Sequence, residues 1–309
     1  MGLDATTHAL AGGSASVMAM ALLYPLENVR CRLQVQVHRQ EGDNDFDDDK
    51  HLNGVLHALF AVPKREGISG LYRGMSSALT GVFVGQAAYF YFYSFLKNKA
   101  VRGKQQLTPL QNIVIAGLAG VANVLVTTPI WVIQTRLAVD SGRRGYEGMW
   151  NALQTIFERS GIAGLYAGLL PSLVLVINPA IQFMTYEQLV ALVVRKRMGT
   201  SQTPVRLSSI EYFLLGAFAK AVATVITYPY QLVKSRMQVS STPRHAAFAK
   251  YAGILDAFLK IYRREGFFGL FSGLSAKMYQ TVLNAAFLFL FYEKILAWFL
   301  TMQKAVANK

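Results

Sequence analysis

The chain has one cysteine, Cys31, in 309 residues. That excludes an internal disulfide, and its place between Arg30 and Arg32 reads as a small packing residue rather than a reactive thiol. Five histidines (His8, His38, His51, His57, His245) lie scattered, with no metal-ligand spacing, no cysteine–histidine pair and no phosphate loop. We therefore expect no catalytic residue, no metal and no bound cofactor. Charge is scarce too, at 16% against roughly 25% in an average soluble domain. The N-terminus shows no basic region leading into a short apolar core and cleavage site, so no removed signal peptide is expected. Met1 to Thr6 fits the minimal myristoylation pattern, although an acyl anchor adds little to a chain that crosses a membrane several times.

What the chain does have is apolar length. Hydrophobic residues make up 53% and mean hydropathy is +0.30. Six apolar runs, at about 8–36, 75–97, 109–137, 168–194, 209–237 and 273–302, approach the roughly 20 residues a helix needs to cross a bilayer. A soluble bundle would require a polar face on each helix, and residues 75–96 supply almost none. Small residues such as Gly12, Gly13, Gly117 and Gly120 allow close helix approach. Between the paired runs lie amphipathic stretches at 54–65, 148–159 and 253–264, suited to the membrane surface. In the first, Val55, Leu56, Leu59, Phe60 and Val62 form the apolar stripe.

These pieces repeat. Pro25, Pro129 and Pro229, spaced by 104 and 100 residues, are each followed seven residues later by an arginine: Arg32, Arg136 and Arg236. Downstream of each stands a glycine-aromatic knot: Glu66 to Gly74, Ser160 to Gly168, Glu265 to Gly273. One unit used three times places function where the copies meet, with repeats at 5–100, 108–196 and 208–302. A proline inside a helix removes a hydrogen bond and bends the axis, so three in register bring three bends to one depth.

Net charge is +14, despite an acidic stretch over 41–50 with six acids against Lys50. Such a balance favours anionic ligands and anionic lipid, and the acidic stretch reads as a solvated loop. Both sides of the membrane are rich in Lys and Arg, so charge does not orient the chain. Phosphates require cations facing a wet interior, and Lys220 and Lys277 sit inside apolar helices where they qualify, snorkelling to the surface being the alternative. Arg32, Arg136 and Arg236 would ring the floor of such an interior, either as ligands or as structure. Asn178, Gln182 and Gln280 suit base edges or interhelical bonding equally. The run Tyr89 to Tyr93 reads first as an interfacial aromatic belt.

Pro25-Leu26-Glu27-Asn28-Val29-Arg30-Cys31-Arg32 satisfies in full the signature of the mitochondrial carrier family, which the chain resembles from end to end. The resemblance implies an all-α membrane protein: three tandem repeats of two transmembrane helices plus a short surface helix, forming a six-helix pseudo-threefold barrel that exchanges solutes by alternating access. It also implies an inner gate pairing Glu27 with Gln134, Trp131 with Lys234, and Gln231 with Arg30. None of these is an ion pair; each would contribute about 1 to 2 kcal/mol when desolvated. An outer gate would involve Lys97, Glu187 and Glu293, with at most one ion pair. Substrate contacts would fall on Gly81, Leu175 and Gln280, with Gly81 leaving room for a ring.

Thr127 to Val132, with Trp131 in the acid position, and Asn178 to Glu187 are similar to the branch of the family that carries coenzyme A, FAD, NAD and adenine nucleotides across the peroxisomal membrane. The expectation is thus a monomeric, multi-pass antiporter of small anionic nucleotides, contacting membrane lipid and no nucleic acid. Peroxisomal membrane comes first and mitochondrial inner membrane second. A mitochondrial NAD, FAD or folate carrier is the alternative within transport, and a non-transporting receptor or structural membrane protein the alternative outside it.

Overall fold

The computed structural model describes residues 5–36, 52–101, 108–140, 146, 148–198, 207–240 and 251–307. The acidic stretch over 41–50 and the first residues of the acylation pattern lie outside them. Ten helices account for almost all of it: α1 Ala5–Val35, α2 Gly54–Glu66, α3 Met75–Ala100, α4 Pro109–Val139, α5 Met149–Leu165, α6 Leu169–Val174, α7 Asn178–Met198, α8 Ser209–Val239, α9 Ile254–Gly269 and α10 Leu274–Ala307. No strand occurs among the described residues.

The six long paths close into a ring, α1 against α3, α3 against α4, α4 against α6, α7 against α8, α8 against α10 and α10 back against α1. At one end α1, α4 and α8 also touch one another. Four of the paths, Gln111–Val139, Leu169–Met198, Ile210–Val239 and Leu274–Phe299, are apolar and long enough to cross a membrane on composition alone. Of the other two expected spans, α3 has the length, with Ser, Gln and Tyr lowering its apolarity, and α1 carries its apolar run over residues 9–26, ahead of the charged turn Glu27 to Arg32. Side chains such as Phe83, Phe90, Tyr91, Phe183 and Val282 stand exposed around the ring, as lipid-facing surfaces require.

Capping fixes where the helices begin. Thr108 and Ser208 each form a reciprocal capping box, with Gln111 and Glu211, at the starts of α4 and α8, satisfying amide donors that the first turn leaves free. Gly74, Gly168 and Gly273 start α3, α6 and α10 with φ of 81°, 78° and 78°, a region that L side chains enter at a cost of about 1–2 kcal/mol.

The three amphipathic helices lie under the same logic in each repeat. Val29 and Leu33 pack on Ala58, Ala61 and Val62; Ile133 and Leu137 on Ala152 and Ile156; Leu232 and Val233 on Ala257 and Ile261. The inward stripe of α2 corrects the sequence expectation. Val55 and Leu59 join the cluster, but Leu56 and Phe60 are 74% and 70% exposed. They form a second stripe, one turn apart, which faces outward. Outside the spans, Asp256 accepts hydrogen bonds from Ala252 N and Lys260 Nζ, both 2.8 Å, at the start of α9; the Lys260 bond holds its carboxyl below the usual range.

The fourth path is broken where continuity was expected. Between α6 and α7 lies a 3-10 turn, Leu175–Ile177. Pro179 explains it, since proline has no N–H to return to the Leu175 carbonyl and crowds the residue before it. The Leu175 oxygen accepts from the Asn178 amide instead.

Candidate functional site

The last turns of α1, α4 and α8 are tied by three equivalent bonds. Arg32 Nε donates to the Ala138 carbonyl at 3.0 Å, Arg136 Nε to that of Gln238 at 2.8 Å, and Arg236 Nε to that of Gln34 at 2.9 Å. Each arginine thus caps the C-terminal carbonyls of the next odd helix around the ring, satisfying acceptors that a helix end leaves open. Two are also clamped from below by the knot. Glu66 binds Arg32 through both oxygens at 2.7 and 2.8 Å, and Glu265 binds Arg236 at 2.5 and 2.8 Å. In the second repeat Ser160 holds the acid's place; Arg136 instead reaches the Gly164 carbonyl at 3.3 Å and has the Tyr146 phenol beside it. The three arginines are therefore built into the closed end.

A layer of tyrosines and glutamines lies just above. Tyr24 donates to the Arg73 carbonyl at 2.8 Å and Tyr228 to that of Ser272 at 2.7 Å, while Gln134 and Gln34 donate to those two phenols at 3.3 and 3.2 Å. The knots press close here: a Cβ on Gly74 would sit 3.0 Å from both the Gln134 carbonyl and the Tyr24 hydroxyl. Thr128 replaces the tyrosine in the second repeat. Gln238, 2% exposed, keeps its oxygen on Thr135 at 2.8 Å, but its Nε2 has no partner among the described residues.

The bonds at the signature acid level differ from the pairings that the sequence suggested. Glu27 binds Arg30 of its own helix and accepts from Gln280 of α10. Arg30 continues to Gln34 at 2.8 Å. Gln134 turns to Tyr24, and Gln231 donates to Thr227 at 3.1 Å one turn back in α8. No bond joins Glu27 to Gln134 or Gln231 to Arg30, and no cation–π contact joins Trp131 to Lys234, among the described residues. A local partner four residues or fewer away costs less side-chain ordering than one on another helix.

Around and above this level cations outnumber acids among the described residues. Arg30, Lys234 and Lys277 lie within electrostatic reach of Glu27, and Lys220 within reach of Lys277. Lys220 and Lys277 are half-buried, and among the described residues each forms its hydrogen bond to a neutral amide oxygen, Asn178 Oδ1 at 3.5 Å and Gln280 Oε1 at 3.4 Å. Lys234 makes no hydrogen bond among the described residues. Asn178 donates to Thr227 Oγ1 at 2.7 Å and the Ala223 carbonyl at 3.2 Å, so it both fastens the broken path to α8 and holds Lys220. Leu175 lies in the break itself. Gln182 has no bonded partner among the described residues.

Gly81 does not leave the space that its sequence position suggested. A Cβ there would lie 3.4 Å from Trp131 Cε2 and Cζ2 and 3.3 Å from Ile130 Cγ2; the indole occupies the room. At the opposite end, Lys97 lies over the Tyr93 ring, 5.9 Å from its centroid. Lys97, Glu187 and Glu293 form no ion pair among the described residues. Arg197 and Glu211 instead bridge α7 to α8 there.

The chain matches the mitochondrial carrier protein family model three times, over residues 2–104, 105–197 and 205–303. It is 41% identical to mitochondrial substrate carrier family protein Q of Dictyostelium discoideum, over 95% of this chain and 88% of that one. It is 37% identical to the mouse peroxisomal membrane protein PMP34, over 95% and 93%. With a peroxisomal nicotinamide adenine dinucleotide carrier of Arabidopsis thaliana it shares 35% identity, over 94% and 95%.

Proposed function

The chain belongs to the mitochondrial carrier family, and on that premise we propose that it exchanges adenine-containing anionic nucleotides and cofactors across an organelle membrane by alternating access. The substrates are drawn from coenzyme A, FAD, NAD, AMP and ADP, the protein works as a monomer, and the membrane is peroxisomal. The carrying observation is electrostatic: Arg30, Lys234 and Lys277 lie within reach of the Glu27 carboxylate, and Lys220 adds a further positive charge beside Lys277. An excess of positive charge inside a helical ring is costly unless it is hydrated or neutralised, and a phosphate group supplies both charge and acceptor oxygens. The amide contacts to Lys220 and Lys277 are long and neutral, so an anion improves on both. Relatives named for the peroxisomal membrane and for dinucleotide transport support the substrate class and the organelle.

The cross-bonded ends of α1, α4 and α8 act as the inner gate, and the separated Lys97, Glu187 and Glu293 leave the outer gate open. A ligand entering from the outer side meets the lysines first. Its phosphates then compete with Glu27 for Arg30, which loosens the bonds that run from Arg30 through Gln34 to Ser235 and Tyr228. Closing the outer side while the inner bonds break returns the site to the other face.

The test is exchange by purified protein in liposomes loaded with AMP, ADP, coenzyme A, NAD or FAD. Labelled nucleotide is expected to enter only when a counter-substrate waits inside. Lys220→Ala and Lys277→Ala are each expected to lower that exchange by about tenfold or more, as loss of a charge-assisted bond to phosphate implies. If no labelled nucleotide moves with any counter-substrate, a receptor or structural role replaces transport. If both variants exchange normally, the lysines are not the site.

A further inference from the structure

Trp131 holds a peculiar place. It stands at the register of Glu27 and Gln231, one per odd helix, where the first repeat keeps a carboxylate and the third an amide. Glu27 is met by Gln280 of the even helix beside it; the equivalent neighbour of Trp131 is Gly81 in α3, which meets it with bare backbone. The edge of the indole lies over that glycine at ordinary contact distance from where a Cβ would be. Trp131 is half-buried, while Gly81 is buried. Among the described residues the indole neither stacks on another ring nor lies under a cation, and its N–H has no acceptor.

A large aromatic surface kept inside a ring of helices, without a ring partner and with an unused donor, suits a heteroaromatic ligand. Indoles gain from offset stacking on flat rings, and purine nitrogens accept from an N–H. Depth agrees. Glu27–Gln280 and Trp131–Gly81 are repeat-equivalent contacts, and Lys277 hangs on Gln280 at 3.4 Å, so a nucleotide whose phosphate reaches Lys277 brings its base to the level of Trp131.

Resting on the transport reading above, we propose that Trp131 is the base-stacking and specificity-determining residue, its indole seated against the bare backbone of Gly81 and offering its remaining face to the purine ring of the substrate. Selectivity for adenine compounds over other phosphorylated anions then comes from α3 and α4, and phosphate affinity from α8 and α10.

Two measurements test this. In a variant carrying Trp150→Phe and Trp298→Phe, both exposed positions at 74% and 55%, Trp131 is the sole tryptophan. Its fluorescence is expected to fall as AMP is added and to stay constant with ribose 5-phosphate, which has the phosphate and no base. In exchange assays Trp131→Leu is expected to raise the AMP concentration for half-maximal rate about tenfold, Trp131→Phe to change it less than threefold, and Gly81→Val to mimic the leucine variant by driving a side chain into the indole. If AMP is exchanged yet the fluorescence does not respond, stacking on Trp131 is wrong while transport stands. If wild-type protein exchanges no adenine compound at all, both readings fall together.

Discussion

At the scale of single residues, two bidentate ion pairs share one job and differ in depth. Arg236 and Glu265 are 1% and 3% exposed, whereas Arg32 and Glu66 are 9% and 13% exposed. Breaking a buried pair by removing one partner leaves an uncompensated charge and costs about 3–5 kcal/mol. Glu265→Gln is therefore expected to lower the thermal unfolding midpoint in detergent more than Glu66→Gln does. Equal shifts would contradict the ranking by burial. The importance of these arginines was legible in the sequence from their place seven residues after a proline in each of three copies; their partners were not. Which carboxylate meets which guanidinium depends on how far the knot folds back under the helix, and no local pattern encodes that distance. Glu27 teaches the same lesson from the other side. Its spacing matches a cross-helix gate, but Arg30 three residues away on the same helix reaches it first.

At the scale of elements, the glycines that begin α3, α6 and α10 do two things at once. They take a left-handed backbone and let a knot press on the neighbouring odd helix, with Gly168 leaving 3.0 Å between a notional Cβ and the Lys234 carbonyl. Gly168→Ala is expected to cost about 1–3 kcal/mol from strain and crowding together, measured as loss of thermal stability. An unchanged midpoint would show that the start of α6 relaxes without penalty. Most elements were readable in advance because glycine and proline punctuate a strong apolar period. Two were read imperfectly for identifiable reasons. Pro179 broke the fourth path at Leu175–Ile177, a signal present in the sequence but masked by the apolar run around it. The outward stripe of Leu56 and Phe60 has the same helical spacing as the inward one, and only packing against α1 separates the two.

At the scale of the whole molecule, the ring is threefold in plan and uneven in detail. The first and third repeats each place a tyrosine above the arginine and a glutamate below it; the second has Thr128 and Ser160 at those positions, and Gln238 Nε2 has no partner among the described residues. In the second repeat Ser160 takes the place of the carboxylate that clamps Arg32 and Arg236, and separation of the closed end is expected to begin at the junction of α4 and α8. A cysteine-free variant with spin labels at paired helix ends is expected to show substrate-induced widening between α4 and α8 before α1 and α8; simultaneous widening of all three would remove that order.

The central claim is that the bonded ends of α1, α4 and α8 open when an anionic substrate is carried through. Cys31 offers the most direct reading, being the chain's sole cysteine, 2% exposed, and placed beside Glu27 and Arg30. In proteoliposomes, maleimide modification of Cys31 is predicted to be slow without substrate and several-fold faster during exchange of an adenine nucleotide. A modification rate that stays the same while nucleotide is being exchanged would contradict the account.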